Sequence, residues 1–181
     1  MTTVLVTGAS GFTGPYVIDA LRSRGYRVVG LGSGPSHADE TVACDLTEPT
    51  AVRQAVAQIR PDRVIHLAAL SFVGHDDAKA FYDVNLFGTL NLLDALAALD
   101  AVPEKIIIAS SANVYGANAQ AVIDESVCPA PVNHYACSKL AMEHMVATWF
   151  DRLPLILARP FNYTGVGQAE HFLIQIGRAH V

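Results

Sequence analysis

Tyr135 is followed four residues later by Lys139, in the stretch Asn133-His-Tyr-Ala-Cys-Ser-Lys139. On a helix that spacing puts a phenol and an ammonium on one face, one turn apart. An ammonium there would stabilise a phenolate and draw a pKa of about 10 towards the range of a working acid–base catalyst. Amphipathic helices produce such a pair by chance, so its meaning depends on its company. Upstream, a short apolar run leads straight into Gly8-Ala-Ser-Gly11-Phe-Thr-Gly14, and Ser110-Ser111 closes a second apolar run. A glycine turn, a hydroxyl and a Tyr/Lys pair, in that order, describe chemistry that moves hydride to or from a carbinol or ketone carbon.

The glycines lie where a first strand turns into a first helix. Glycine lets backbone approach a pyrophosphate there, and the helix N-terminus adds N–H donors and partial positive charge. Pro15 suits a first helical turn, where its missing N–H would be unpaired anyway. The spacing is G-x-x-G-x-x-G, not G-x-G-x-x-G. After the second strand, Leu31-Gly-Ser33-Gly offers no carboxylate for a ribose 2′-hydroxyl, and Arg27 sits too early to bind a 2′-phosphate. Without the acid, the repulsion against a 2′-phosphate is absent too. Ser33 can donate to either ribose, so the expected cofactor is NADP or NAD, leaning to NADP.

The elements that must position these groups follow from periodicity. Strands are expected at 3–7, 27–31, 42–44, 63–67, 105–110 and 155–158. Helices are expected at 15–24, 50–59 (closed by Pro61), 79–99 and 135–150. Strands apolar on both faces, separated by helices, give an α/β fold: a Rossmann-type doubly wound parallel sheet with helices on both faces. At 181 residues the chain suits one sizeable core; with 51% hydrophobic and 16% charged residues it should be compact. A net charge of −5 argues against a nucleic-acid or anionic-membrane surface. No apolar run is long enough to span a membrane and no signal peptide opens the chain, so a cytoplasmic location is expected. Cys44, Cys128 and Cys137 show no C-x-x-C spacing and read as reduced thiols. His75-Asp-Asp77 reads as a solvated loop, since consecutive residues cannot converge on one ion, and no metal is expected. His66 reads as a core histidine, and His134, just before Tyr135, as a helix-entry residue in preference to one bordering substrate.

Further stretches give the chain a likeness. Val6–Gly14, Cys44-Asp45-Leu46, His66-Leu-Ala-Ala69, Asn85-Leu-Phe-Gly-Thr89, Ser110-Ser-Ala-Asn-Val-Tyr-Gly116, Tyr135-Ala-Cys-Ser-Lys139 and Arg159-Pro-Phe-Asn162 run in that order. Together they resemble the extended short-chain dehydrogenase/reductase family, in its nucleotide-sugar epimerase/dehydratase group. The run Arg159–Gln168 is similar to that of GDP-6-deoxy-4-keto-mannose reductases and GDP-mannose dehydratases.

The resemblance implies a catalytic set of Ser111, Tyr135 and Lys139. Lys139 would lower the Tyr135 pKa and hold the nicotinamide ribose, while Ser111 would bind the substrate oxygen. Cofactor contacts are implied for Gly8, Ser10, Gly11, Phe12, Thr13, Gly14, Asp45 and Leu46 (at the adenine edge), Leu67, Ala68, Ala69 and Ser110, with Ser33 beside them. Asn85 is counted with the cofactor contacts, its part open between organising its helix and relaying protons. Substrate contacts are implied for Ser71, Phe72, Asn113 and Asn162. One departure bears on mechanism: where dehydratases of this group carry acids after the Ser/Thr, this chain has Ala112 and Asn113, neither a general base. The expected activity is NAD(P)-dependent 4-keto reduction (or epimerisation) of a nucleotide sugar, a GDP-6-deoxyhexose first. The alternatives are a 4,6-dehydratase and a non-catalytic dinucleotide-sensing module. A homodimer through helices 79–99 and 135–150 is implied. The likeness ends at Ile174; Gln175-Ile-Gly-Arg-Ala-His-Val181 follows, which matches a common sequencing adapter read in one frame. Residues 1–174 are therefore expected to be the dinucleotide-binding domain and 175–181 a foreign tail, in a fragment lacking a C-terminal substrate lobe.

Overall fold

Apolar, β-branched runs form the strands β1 (Thr3–Thr7), β2 (Arg27–Gly32), β3 (Glu40–Ala43), β4 (Arg63–His66), β5 (Lys105–Ala109) and β6 (Leu155–Ala158). The computed structural model describes residues 1–72, 76–117 and 122–169. The six strands make one sheet in the order β3-β2-β1-β4-β5-β6, every pairing parallel. Helices α1 (Gly14–Arg22), α2 (Pro49–Ile59), α3 (Ala78–Tyr82), α4 (Gly88–Ala97) and α5 (His134–Ala147) lie between them. The chain winds outward from β1 in one direction through β2 and β3, then in the other through β4, β5 and β6. This reversal opens a crevice beyond the C-terminal ends of β1 and β4, where Thr7 pairs with His66.

Both faces of the sheet are covered. On one, Leu5, Leu31, Val64, Ile106 and Ile108 pack with Val52 and Val56 of α2, Leu92 and Leu96 of α4, and Met142 and Val146 of α5. On the other, Val4, Val6 and Val28 pack with Ile18 of α1. Among the described residues, no helix is long and apolar enough to cross a membrane.

Three elements depart from their expected forms. The third strand lies at Glu40–Ala43 instead of 42–44, and Cys44 follows it with its N–H donated to the Gly32 carbonyl at 3.2 Å. The helix expected at 79–99 is broken by a π-helical turn, Asp83–Phe87, between α3 and α4. Such a turn admits one extra residue, which hydrophobic periodicity cannot register. Finally, α5 stops at Ala147, short of 150.

Helix α2 ends at Ile59, as expected, and Arg60, disfavoured from continuing the helix by Pro61 after it, forms the cap. Arg60 takes a left-handed conformation (φ 46°) and donates its N–H to the Val56 carbonyl at 2.9 Å. That conformation costs a residue with a Cβ roughly 1–2 kcal/mol. Arg60→Gly removes the strain but loosens the unfolded chain and loses the 3.3 Å bond from Nε to the Ala57 carbonyl. Urea unfolding should find Arg60→Gly more stable by about 0.5 kcal/mol and Arg60→Val, β-branched, less stable by about 1 kcal/mol. A loss in the glycine variant would show that the cap is unstrained.

Candidate active site

The glycine turn fills the floor of the crevice. Gly8 has φ 67° and donates its N–H to the Leu31 carbonyl at 3.2 Å. A Cβ on it would sit 2.7 Å from the Ala68 nitrogen, so the turn and the residues after β4 touch backbone to backbone. A Cβ on Gly14 would lie 2.1 Å from the Ala9 carbonyl oxygen. Short bonds close the turn, from Gly11 N to Gly8 O at 3.0 Å and from Gly14 N to Gly11 O at 3.1 Å. Thr13, at the helix N-cap, makes no side-chain cap for α1. Its hydroxyl instead meets the Tyr163 phenol at 2.6 Å, while Phe12 stacks on the Tyr163 ring at 5.9 Å.

Beyond β2, a Cβ on Gly34 would approach the Ser10 hydroxyl at 3.4 Å, so the glycine turn abuts the Ser33 loop. Ser33 is exposed there, and no acid stands beside it. Arg27 lies at the opposite end of β2, paired with Glu40. The exposed Asp45 accepts through Oδ1 from the Thr47 N–H at 2.9 Å and the Thr47 hydroxyl at 2.8 Å. The Leu46 side chain beside it is in the core, and its carbonyl is held by Asn91 Nδ2 at 2.8 Å.

Leu67, Ala68 and Ala69 continue from β4 along the crevice, half-buried, with Leu67 N bonded to the Thr7 carbonyl at 3.2 Å. Asn85 is fully buried: its Oδ1 accepts from Leu70 N at 2.8 Å, and its Nδ2 donates to the Leu70 carbonyl and Ser138 hydroxyl, each at 3.0 Å. The amide therefore braces the segment after β4 from behind. Ser71, Phe72 and Asn162 are exposed and Asn113 is half-buried. His75 lies outside the described residues, as does the stretch 170–181; Asp77 caps α3 by accepting from Lys79 N at 2.9 Å. Among the described residues, no cluster could hold a metal ion. His134 begins α5 and meets the Tyr82 phenol through Nδ1 at 3.2 Å, in keeping with a helix-entry role.

The Tyr/Lys pair lies on α5 as expected. Asn133 starts the helix by accepting from Ala136 N at 2.8 Å. Ser111 follows β5 and caps a 3₁₀ turn, Ala112–Tyr115, by accepting from Asn113 N at 3.1 Å. Burial raises the Tyr135 pKa; the Ser111 hydroxyl works against this, and Tyr163 adds to it. Lys139 is 2% exposed and donates Nζ to the Ala109 carbonyl at 2.9 Å. Burial lowers its own pKa from 10.5 to about 8, with Glu143 opposing.

The residues present fit a dinucleotide on two counts. The turn is a cradle in which Cβ atoms at Gly8 or Gly14 would collide with backbone. At the end of β5, the Ser110 hydroxyl is buried and is the sole buried side-chain oxygen or nitrogen without a partner among the described residues. Sequence reasoning missed the bonds from Arg159 to Glu143 at 2.9 Å and to the Tyr115 phenol at 2.8 Å, and the place of Tyr163.

Strand order and glycine turn define a Rossmann-type, doubly wound domain. The NAD dependent epimerase/dehydratase family matches residues 4–179, and the chain belongs to that family. It is 39% identical over 172 residues to a GDP-6-deoxy-D-talose 4-dehydrogenase of Aggregatibacter actinomycetemcomitans, covering 94% of this chain and 56% of that protein. It is 37% identical to a GDP-6-deoxy-D-mannose reductase of Pseudomonas aeruginosa, covering 94% and 55%. The chain thus spans about half the length of these relatives. In structure it is similar to the Thermus thermophilus UDP-glucose 4-epimerase solved with NAD, with TM-score 0.87, 30% identity, and coverage of 98% of this chain and 61% of that one.

The buried lysine gives a signed pH test. Between about 8 and 10.5 the unfolded chain keeps a proton on Lys139 that the folded chain has lost, so folding gains stability as pH rises. Relative to Lys139→Met, the wild-type protein should gain stability over that window in urea titrations. A flat difference would mean the ammonium is not held by burial.

Proposed function

We propose that the chain is the dinucleotide-binding and catalytic part, over residues 1–174, of an NAD(P)-dependent oxidoreductase that reduces the 4-keto group of a nucleotide sugar, with a GDP-6-deoxyhexose as substrate. The observation that carries this reading is the buried Lys139, one helical turn from Tyr135 on α5 and bonded to the end of β5, with the Ser111 hydroxyl acting on the same phenol. Gly8, Gly11, Gly14 and the first turn of α1 would hold the pyrophosphate, Leu67–Ala69 the middle of the cofactor, and Ser110 and Lys139 its nicotinamide end. Bound dinucleotide supplies the hydride.

The remaining work falls to this chain's own residues. Ser111 donates to the substrate oxygen and holds it beside Tyr135. Tyr135, kept protonated by burial, gives its phenolic proton to the oxygen as negative charge develops there. Lys139, cationic below about pH 8, stabilises the phenolate left behind once the ribose hydroxyls orient it. Ala112 and Asn113 offer no base to take a proton next to the ketone, which favours reduction over dehydration. The two curated relatives carry names for GDP-6-deoxyhexose 4-oxidoreduction, and that supports the substrate class. The absence of an acid beside Ser33 supports use of NADP as well as NAD. Pairing with a second copy through α4 and α5 is supported by exposed apolar side chains there, Phe87 beside α4 and Met145 and Phe150 on or just after α5.

In a chain extended to the length of its relatives, Tyr135→Phe should abolish nearly all hydride transfer while dinucleotide affinity stays within a few-fold, since the phenol acts only on the reacting oxygen. Wild-type turnover in that variant would sink the assignment. The same extended enzyme, given unmodified GDP-mannose, should form no 4-keto-6-deoxy product. If that product accumulates, a base outside Ala112–Asn113 exists and the dehydratase reading is right.

A further inference from the structure

His66 lies deep beneath the crevice, 1% exposed, and both of its ring nitrogens are occupied. Nδ1 meets the Thr7 hydroxyl at 2.6 Å, and Nε2 meets the Thr89 hydroxyl at 2.8 Å. Thr89 donates its own proton to the Asn85 carbonyl at 2.7 Å, so it can only accept from the ring. Nε2 therefore carries a proton. In a neutral ring Nδ1 is then an acceptor, and the Thr7 hydroxyl must donate to it. The Thr7 oxygen in turn accepts from the Ala68 N–H at 3.2 Å. Every proton points the same way, from Ala68 through Thr7, His66 and Thr89 to Asn85.

We propose that His66 is a positioning residue of the dinucleotide crevice, holding the segment 67–70 at a fixed height above the glycine turn through this one-way chain. The inference rests on the dinucleotide reading above. Beyond the ladder bond from Leu67 N to the Thr7 carbonyl, the segment is placed by side chains at two points: Ala68 by the Thr7–His66 chain and Leu70 by the Asn85 amide. The tolerance is small, because Gly8 already packs against Ala68 with no room for a methyl group. The far end of the network reaches the reacting side of the site. Asn85 Nδ2 donates to the Ser138 hydroxyl at 3.0 Å, and Ser138 donates to the Tyr135 carbonyl at 2.8 Å. Height of the cofactor wall and placement of the Tyr135 backbone are thus set by one fully satisfied buried network. A protonated ring would break it, since Nδ1–H would face a hydroxyl whose oxygen already accepts from Ala68 and whose proton would have no acceptor. Burial, with the Lys139 ammonium on the neighbouring α5, holds the His66 pKa down at about 3.

Amide substitutions separate positioning from filling. Asn places an acceptor where Nδ1 lies and preserves the Thr7 arm; Gln places a donor where Nε2 lies and preserves only the Thr89 arm. Titrating the chain with NADH and NADPH, His66→Asn should bind within about threefold of wild type. His66→Gln and Thr7→Val should bind about tenfold more weakly, the loss of roughly one hydrogen bond, and Thr7→Ser should restore affinity. Melting temperature is measured alongside. If affinity in all variants simply follows melting temperature, or if Gln and Val bind as well as wild type, His66 is an ordinary core residue and the inference is overturned. If wild type binds neither dinucleotide, the functional reading fails and takes this inference with it. Imidazole ¹⁵N spectra give a readout free of ligand: a single Nε2–H tautomer at neutral pH is required, and an Nδ1–H or charged ring would refute the chain.

Discussion

Placing a lysine ammonium at 2% exposure beneath the C-terminal edge of a sheet costs several kcal/mol unless its charge is answered. Two groups answer it here. The Ala109 carbonyl, at the end of β5, accepts from Nζ, and Glu143 lies one helical turn further along α5. Glu143 is itself buried and is gripped by Arg159, whose Nε reaches its two oxygens at 2.9 and 3.1 Å. Arg159 also donates to the Tyr115 phenol and lies over that ring at 5.0 Å, and its pKa is raised by Glu143 first. One buried charge thus fixes four elements relative to one another: the ends of β5 and β6, the helix α5 and the 3₁₀ turn headed by Ser111. Ser111 and Tyr135 are close because this chain of charges leaves them nowhere else to go.

The same stretch of chain that holds the reacting side also touches the binding side. Arg159 stands at the end of β6 against α5, and a few residues later Tyr163 reaches Thr13 and Phe12 at the glycine turn. The Tyr16 phenol donates to the Val166 carbonyl at 2.8 Å, tying the segment to α1 a second time. Two halves of the crevice built from distant sequence are therefore bridged by side chains within residues 159–168. A sheet that reverses direction between β1 and β4 requires such a bridge, because no strand pairing connects the glycine turn to α5.

Much of this was legible in the order of residues. Glycines between an apolar run and a helical repeat have few other uses, and the Tyr135/Lys139 spacing is meaningful once a helix is granted. Strand ends were placed within a residue or two because β-branched runs are short and sharply bounded. What escaped has a common cause. The π turn is one residue inserted into a pattern of period 3.6, and only its consequence, an inward-facing Asn85, betrays it. The Arg159–Glu143 pair joins residues 16 apart across two elements, a distance at which pattern carries no information. The Thr7–His66–Thr89–Asn85 network did leave a trace, as polar residues at otherwise apolar positions of β1, β4 and the helix after it. Read together, those four would have announced a buried network; read singly, they announced only tolerated polar residues.

The protonation pattern bears on the direction of the proposed reaction. A Tyr/Lys pair is usually taken to make a phenolate, and the ammonium here would do so if it faced the phenol alone. One of its three N–H groups is given to Ala109, and burial favours the neutral form of the phenol. A neutral phenol beside a serine hydroxyl is prepared to donate, which is what the oxygen of a ketone needs as it gains hydride. Oxidation in the reverse sense would have to draw that proton out of a buried site first, and the buried Lys139 ammonium loses its own charge above about pH 8. On the proposed reading, then, the buried lysine does two things with one charge. It ties together the architecture around Ser111 and Tyr135, and its remaining N–H groups are there to answer the charge on the tyrosine once the phenolic proton has been given up.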